Sequence, residues 1–257
     1  MPSTPPFSMS VPAAVPGVPG APLYRCVERE LRHALARGEW KPGDAIVAEH
    51  ALAQRFGVSI GTVRKAVDAM CAARLLIRRQ GRGTYVANHD RDRMLFYFFH
   101  VAPERGPKEY PEVRLVAFAR GKAARQEAQA LRLAEGDPVW RIRNLLRLSG
   151  KPVIIDHLTL GAARFAGLNR ALFANRPSTI YNLYQDAFGV SVIQTRERLR
   201  ATIADAPGAR LLGVARGAPL LAIRRVAYSY GDDPVELRLS LVDTTVHEYW
   251  AEIGTPP

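Results

Sequence analysis

Basic side chains in the first third of the chain are spaced so that they can contact a polyanion. Four apolar residues there recur at the helical spacing i, i+3, i+4, i+7 and predict a buried face: Val63, Ala66, Val67 and Met70. The opposite, exposed face of the same helix carries Ile60, Gly61, Arg64 and Lys65. Cationic side chains on an exposed helix can bind the phosphates and base edges of DNA. The alternative is an ordinary solvated surface.

Carboxylates farther along the chain are spaced for a different task, the binding of a small polar ligand. A predicted hairpin spans residues 139–160, with its turn at residues 149–151. This pairing places Asn144 and Asp156 on the same face of adjacent strands. Glu236 lies on a later predicted strand. The two carboxylates can accept hydrogen bonds from hydroxyl or amino groups of a ligand. In the alternative, they form structural pairs with an arginine such as Arg141, Arg143 or Arg238.

The basic helix is predicted to follow another helix across a tight turn. Residues 49–56 have apolar side chains at helical spacing. Gly57 can end that helix in the left-handed conformation, and Ser59 can cap the next one. Residues 75–86 then read as two strands joined by a glycine-rich turn, with Arg82 near its tip. Two helices followed by such a wing predict a winged helix-turn-helix, which inserts its second helix into the major groove.

This region resembles the DNA-binding domain of the GntR family of bacterial transcription regulators. The residues that carry the resemblance are Pro22-Leu23-Tyr24, Gly38-Glu39-Trp40-Lys41-Pro42-Gly43-Asp44, Val58-Ser59, Thr62-Val63-Arg64 and Gly81-Arg82-Gly83-Thr84-Tyr85-Val86. The resemblance implies DNA contacts by His50, Ser59, Ile60, Gly61, Thr62, Arg64, Lys65, Gln80, Gly81 and Arg82.

Three positions depart from the usual residues of that family. Arginine is common where Ile60 and His50 stand, and serine is common where Ala48 stands. The family's usual operator sequence is therefore not implied. For His50, the alternative is an ordinary surface histidine without a DNA contact. For the glycines of the wing, the alternative is that they only shape the turn.

The net charge supports a polyanionic partner. The chain of 257 residues has 36 Lys and Arg against 24 Asp and Glu. Residues 21–89 contain 12 of the basic and 6 of the acidic residues, so half of the surplus lies in roughly a quarter of the chain. That quarter is the predicted winged helix.

The remaining composition favours a cytoplasmic protein without a membrane span. No run approaches the roughly 18 apolar residues of a membrane helix, and the N-terminus lacks the pattern of a signal peptide. The two cysteines, Cys26 and Cys71, lie in predicted helices and are expected to be reduced.

The chain beyond residue 93 is predicted to be an α+β domain on an antiparallel sheet. Predicted strands are 95–99, 113–118, 139–148, 152–160, 190–200, 217–230 and 236–241, and predicted helices are 123–131, two within 168–183 with Ser178 as the cap of the second, and 207–212. The order of elements resembles the UTRA effector-binding domain of the HutC subgroup of GntR regulators, a fold similar to that of chorismate lyase. The resemblance is carried by Gly150-Lys151-Pro152-Val153, Ser178-Thr179-Ile180-Tyr181, Leu211-Leu212-Gly213, Gly217-Ala218-Pro219-Leu220-Leu221 and Pro234-Val235-Glu236.

The UTRA resemblance implies an effector site at Arg143, Asn144, Asp156, Ser178 and Glu236. Family members that bind phosphorylated sugars have paired arginines at the positions of Asn144 and Leu146, and neither residue is basic here. Because a buried phosphate needs charge-assisted donors, the expected ligand is instead rich in hydroxyl or amino groups. The histidines and cysteines have no metal-ligand spacing and no nucleotide-binding glycine loop occurs, so no cofactor is expected.

The predicted organisation has four parts: a disordered leader at residues 1–20, a winged helix-turn-helix at 21–88, a linker at 89–93, and an effector-binding and dimerisation domain at 94–257. The implied function is that of a homodimeric repressor, released from double-stranded operator DNA by a small-molecule effector. An activator of the same family is one alternative. A chorismate-lyase-like enzyme and a non-specific nucleic-acid-binding protein are two others. Against the enzyme, the sequence has no evident nucleophile–base pairing.

Overall fold

The computed structural model describes residues 22–73, 75–87 and 97–251. The chain divides into two compact units, residues 1–88 and residues 89–257. The predicted leader and the predicted linker both lie outside the described residues.

The first unit consists, where it is described, of three helices followed by a hairpin. Its elements are α1 (Leu23–Ala36), α2 (Glu49–Phe56), α3 (Ile60–Ala72), β1 (Leu76–Arg79) and β2 (Gly83–Val86). The helices meet through fully buried apolar side chains, which include Val27, Leu31, Leu52, Val63, Val67 and Met70. The predicted apolar face of α3 is therefore confirmed as core.

Local chemistry sets the ends of the helices in this unit. Gly57 ends α2 in the left-handed conformation, with φ 64°. The Ser59 hydroxyl caps α3 by accepting a hydrogen bond from the Thr62 amide at 3.1 Å. At the start of α2, Ala48 makes no side-chain cap. Both the glycine stop and the serine cap were predicted and are confirmed.

The hairpin pairs β1 with β2 in antiparallel register from Leu76↔Val86 to Arg79↔Gly83. Gly83 is therefore a strand residue, and the turn is one residue shorter than expected. Ala45 adds an isolated bridge to Tyr85, which attaches the segment before α2 to the outer edge of the hairpin.

The second unit is built on a six-stranded antiparallel sheet in the order β4-β5-β6-β9-β8-β7. Its elements are β3 (Val101–Pro103), β4 (Glu112–Lys122), α4 (Arg125–Leu131), β5 (Pro138–Leu148), β6 (Lys151–Gly161), α5 (Arg170–Ala174), α6 (Ile180–Phe188), β7 (Gln194–Ile203), α7 (Ala206–Leu212), β8 (Pro219–Ser229), β9 (Asp233–Val242) and β10 (His247–Tyr249). Strands β3 and β10 pair separately. The predicted α+β class with an antiparallel sheet is confirmed.

The two faces of the sheet have different coverings. One face packs against α5, α6 and the segment before them, in a core that includes Leu158, Phe165, Phe173, Tyr181 and Tyr184. On the other face, Leu145 and Ile155 pack against Ala209 and Leu212 of α7. Each strand of the hairpin thus contributes to both sides, as strand alternation requires.

Three local predictions for this unit were wrong. The described part of the aromatic run, Tyr97 to Phe99, is not a strand, because the Phe98 ring packs on the core and its carbonyl is taken by the Arg225 side chain. Strand β7 begins at Gln194 rather than at residue 190. Thr179, not Ser178, caps α6, since its hydroxyl accepts from the Asn182 amide at 3.0 Å.

The turn of the β5–β6 hairpin is also shorter than predicted. Leu148 pairs directly with Lys151, so the loop is Ser149-Gly150 alone, both with positive φ. A register shift next to Leu146 compensates, and the predicted facing of Asn144 and Asp156 survives as a direct Cα pair.

Within the described ranges, no helix has the length and apolar character needed to span a membrane. The same ranges contain no group of three or more His, Cys, Asp or Glu side chains that could hold a metal ion.

Candidate functional site

The exposed face of α3 is the first candidate site. Ile60 is 47% exposed, and Gly61, Arg64 and Lys65 are exposed beside it, whereas Thr62 is half-buried. Ser59 lies at the start of this face, its hydroxyl 2.9 Å from that of Thr62. The helix therefore presents the predicted residues on one surface, at its N-terminal end.

Arg64 is held in place by an acidic residue of the preceding helix. Its Nε donates to Glu49 Oε2 at 3.0 Å, and Glu49 Oε1 accepts from Arg78 Nη2 at 2.9 Å. Arg78 in turn pairs with Asp68 at 2.5 Å. The Arg64 side chain is still 61% exposed, so this pair is a weak surface interaction that a phosphate or base can displace.

The tip of the hairpin is bare and basic. Gln80, Gly81 and Arg82 are all exposed. Gly81 has φ 69°, a conformation that side chains with a Cβ adopt only at a cost. The Tyr85 hydroxyl donates to the Arg82 carbonyl at 3.1 Å and stiffens the turn. The remaining predicted contact, His50, is exposed near the start of α2.

The second candidate site is a cavity in the second unit, on the side of the sheet covered by α6. The cavity volume is about 30 Å³. The unfilled space is about 430 Å³ when the solvent at its open mouth is included. The lining residues are Phe99, Tyr110, Pro111, Val113, Asn144, Leu146, Asp156, Arg176, Ile180 and Arg238. The predicted pair Asn144 and Asp156 is therefore part of one cavity wall.

Arg238 ties both predicted carboxylates together beneath this cavity. Its Nη1 donates to Asp156 Oδ2 at 3.1 Å, while its Nε and Nη2 donate to the two oxygens of Glu236 at 2.9 and 3.0 Å. Tyr184 donates to Glu236 at 2.7 Å, and Ser240 donates to Asp156 at 2.5 Å. We call Asp156, Arg238 and Glu236 the buried triad.

The triad is buried, and the charges of its members affect one another. Glu236 is 0% exposed. Although burial by itself lowers the pKa of the Arg238 guanidinium, the charges of Glu236 and Asp156 raise it well above its ordinary value. Burial and the Glu236 carboxylate raise the pKa of Tyr181 to about 12. The geometry therefore supports the structural alternative for Glu236, with Arg238 as its partner.

The other predicted effector residues lie apart from this wall. Ser178 is half-buried just before α6 and does not line the cavity. Arg143 is the strand neighbour of Asn144, so its side chain lies on the other face of the sheet, where its Cα partner is His157. The structure thus brings Asn144 and Asp156 together, with Glu236 behind them.

Arg176 lines the cavity and was missed from the sequence. Its Nη1 donates to the Phe173 carbonyl at 2.7 Å, and its guanidinium lies 4.9 Å from the centre of the Phe173 ring. It stands in the short connection between α5 and α6, where a single arginine has no periodic signal. Only the neighbouring Ser178-Thr179 motif marked this segment.

A second buried ion pair lies on the same sheet face. Arg225 Nε donates to Glu197 Oε1 at 2.5 Å, Arg225 also donates to the Phe98 carbonyl, and the Tyr249 hydroxyl donates to Glu197. The Arg225 and Glu197 side chains are 9% and 8% exposed. Burial by itself raises the pKa of Glu197, but Arg225 outweighs it, so the carboxylate titrates below its ordinary range.

Comparison with known proteins identifies the family of each unit. Residues 23–86 match the family of bacterial regulatory proteins described as gntR, and residues 108–247 match the UTRA domain, which alone covers more than half of the chain. The chain belongs to the GntR family. Its second unit is a UTRA domain.

Individual GntR-family relatives agree with this assignment. A histidine utilization repressor of Pseudomonas putida is 30% identical over 233 residues, which cover 90% of this chain and 91% of that protein. A fructoselysine utilization operon repressor of Escherichia coli K12 is 27% identical, covering 84% and 88%. Both are named as repressors of transcription, and the GntR-family chain is accordingly a transcriptional regulator rather than an enzyme.

Solved GntR-family structures have the same fold. The ligand-binding domain of a regulator from Bordetella bronchiseptica is 35% identical, with a TM-score of 0.59, and covers 62% of this chain and 99% of that chain. PhnF from Mycobacterium smegmatis is 26% identical, with a TM-score of 0.53, over 90% and 100%.

Proposed function

We propose that the protein is a homodimeric repressor that binds double-stranded operator DNA in the bacterial cytoplasm and leaves it when a small-molecule effector binds the UTRA domain. The observation that carries this proposal is the exposed, basic N-terminal end of α3 in a chain whose other unit has a cavity lined in part by Asn144, Asp156, Arg176 and Arg238. Release by an effector requires that the effector bind the DNA-free form more tightly than the DNA-bound form.

The proposed division of the chain is DNA binding by residues 21–88 and effector binding with dimerisation by residues 94–257. Ser59, Ile60, Gly61, Thr62, Arg64 and Lys65 would enter the major groove, with His50 contacting the DNA beside them. Gln80, Gly81 and Arg82 of the wing would contact the phosphate backbone. For the effector we propose Asn144 and Asp156 as direct contacts, with Glu236 acting through Arg238 and with Ser178 and Arg143 as secondary candidates.

Footprinting on the DNA that flanks the protein's own gene tests this function. A protected segment with two half-sites in inverted repeat is expected, because a two-fold dimer reads a pseudo-palindromic operator. Equal binding to random DNA at the same salt concentration would favour the non-specific alternative. Increased transcription from the protected promoter would favour the activator.

Arg64→Ala is expected to weaken operator binding by about 1–3 kcal/mol, because it removes an exposed guanidinium from the reading helix. The fold should be unaffected, since the Arg64 side chain is 61% exposed and its pair with Glu49 lies on the surface. The measurement is a fluorescence anisotropy titration with operator DNA at fixed salt. Arg114→Ala makes the same charge change on an exposed residue of the other unit and should bind as the parent does. Equal affinity of both variants would remove Arg64 from the interface.

A fragment of residues 94–257 is expected to remain a dimer. The UTRA sheet can offer apolar strand surface to a second copy, and Leu199 and Ile203 on edge strand β7 are 46% and 68% exposed. Sedimentation of the fragment at micromolar concentration measures this directly. If the fragment is a monomer while the full chain is a dimer, the dimer contact lies in the first unit instead.

A further inference from the structure

Two residues that line the cavity of the UTRA domain each have a buried polar atom without a hydrogen-bond partner. In the described part of the chain, four buried side-chain atoms have no hydrogen-bond partner: Trp140 Nε1, Arg143 Nε, Asn144 Oδ1 and Arg176 Nε. Two of these four, on Asn144 and Arg176, belong to residues that line this cavity. Buried polar atoms are almost always bonded in folded proteins, so such a coincidence in one cavity points to a missing occupant.

Arg176 is a cation without a counter-ion among the described residues. No carboxylate of the described residues lies within ion-pair distance, and the guanidinium instead contacts the Phe173 carbonyl and the Phe173 ring. Burial has the largest effect on its guanidinium and lowers the pKa, while Tyr110 and Tyr184 act to raise it and the positive charge of Arg238 acts to lower it. The buried arginines 225 and 238 differ, since each is bonded to at least one carboxylate.

The positive charge of Arg238 is already used. Its Nε, Nη1 and Nη2 all donate to Asp156 or Glu236. The cavity wall therefore has one cation, Arg176, that pairs with none of the described carboxylates. A carboxylate carries one negative charge and can pair with Arg176. A phosphate monoester carries about −1.5 to −2 at neutral pH and would place more negative charge beside the triad, whose two carboxylates already outnumber its one arginine.

We propose that the effector is a small hydroxy- or amino-carboxylate whose carboxylate pairs with Arg176 and whose hydroxyl or amino group hydrogen-bonds to Asn144. This inference rests on the proposed function and names its ligand class. The Asn144 carboxamide can bond either a hydroxyl or an amino group of the ligand, because it has both a donor and an acceptor. Asp156, on the same wall, adds a second acceptor for the hydroxyl or amino hydrogen. The remainder of the ligand lies in the wider mouth of the cavity.

Glycolate is the smallest probe that carries both groups. Thermal melting of the full chain is measured with millimolar sodium glycolate replacing chloride at constant ionic strength. Because a ligand that binds the folded state raises Tm with its concentration, glycolate is expected to raise Tm in a saturable way. Glycolamide, its neutral counterpart, and inorganic phosphate should raise it much less. An equal effect of glycolamide overturns the proposal, and a larger effect of phosphate overturns the choice of carboxylate.

Variants assign the effect to Arg176. Arg176→Gln should weaken glycolate binding about tenfold or more, because it removes a charge-assisted hydrogen bond, while Arg176→Lys should retain part of the response. Arg164→Gln is the matched control, since Arg164 is a partly exposed arginine paired with Asp233 and does not line this cavity. If Arg176→Gln melts cooperatively and responds like Arg164→Gln, the assignment is wrong.

Operator footprinting by the same full chain, without glycolate, is read separately. Specific DNA binding with no glycolate response rejects the ligand class alone. A glycolate response without specific DNA binding rejects the proposed function.

Discussion

Replacing Arg238 with methionine is expected to destabilise the UTRA domain by about 3–5 kcal/mol, the usual cost of removing one partner from a buried ion pair. Two carboxylates, Asp156 and Glu236, would lose a shared cation, and Glu236 is 0% exposed. Of these two carboxylates, Glu236 does not line the cavity, so water in the cavity does not directly replace the donors that it loses. Urea denaturation of the full chain, read at the transition of the UTRA domain, measures the change.

Two further variants distinguish a charge effect from a loss of packing. Asp156→Asn, Glu236→Gln and Arg238→Met combined should recover much of the lost stability, because no buried charge is then left unpaired. Arg164→Met removes a partly exposed pair with Asp233 and should cost less than about 1 kcal/mol. If Arg238→Met costs no more than Arg164→Met, the triad contributes nothing measurable to stability.

Arg225→Met is expected to cost about 3–5 kcal/mol for the same physical reason. It would leave Glu197 buried with the Tyr249 hydroxyl as its remaining partner, and would remove the donor from the Phe98 carbonyl. The same denaturation experiment applies. Arg196→Met is the control, because Arg196 lies on the neighbouring strand in an exposed pair with Asp232, with side chains 51% and 52% exposed.

A second readout would separate the two buried arginines. Arg225 does not line the cavity, whereas Arg238 does. Glycolate should therefore still raise the Tm of Arg225→Met, provided that this variant remains folded at the starting temperature. If Arg225→Met has the same free energy of unfolding as Arg196→Met, the pair of Arg225 with Glu197 does not contribute substantially to stability.

The first unit was predictable in detail because its signals are local. A glycine stop, a serine cap two residues later and an apolar face of period 3.6 all lie within fifteen residues, from Phe56 to Met70. Each acts on its own neighbours in the chain. The alternation of β5 and β6 similarly predicted that Asn144 faces Asp156, even though the turn was one residue shorter than expected.

The cavity was predicted only in part, because its remaining wall is assembled from distant segments. Arg238 and Asp156 of this wall are 82 residues apart, and the nearby contact between Arg225 and Phe98, on the same side of the sheet, joins residues 127 apart. No periodicity relates such positions. The aromatic run at Tyr97 to Phe99 has the composition of a strand, yet the Arg225 guanidinium bonds the Phe98 carbonyl that a neighbouring strand would otherwise use. Tertiary contacts override strand propensity there.

The position of Phe98 has a thermodynamic consequence for the cavity. Its ring contacts Tyr181 edge-on at 5.1 Å, the Tyr181 hydroxyl donates to Glu236 at 3.3 Å, and Glu236 holds Arg238 at the cavity wall. Arg238 is therefore connected to Phe98 through Glu236 and Tyr181. Binding linkage is reciprocal. If an occupant of the cavity binds more tightly when Phe98 lies in one position, then displacing Phe98 from that position must weaken the occupant's binding by the same free energy.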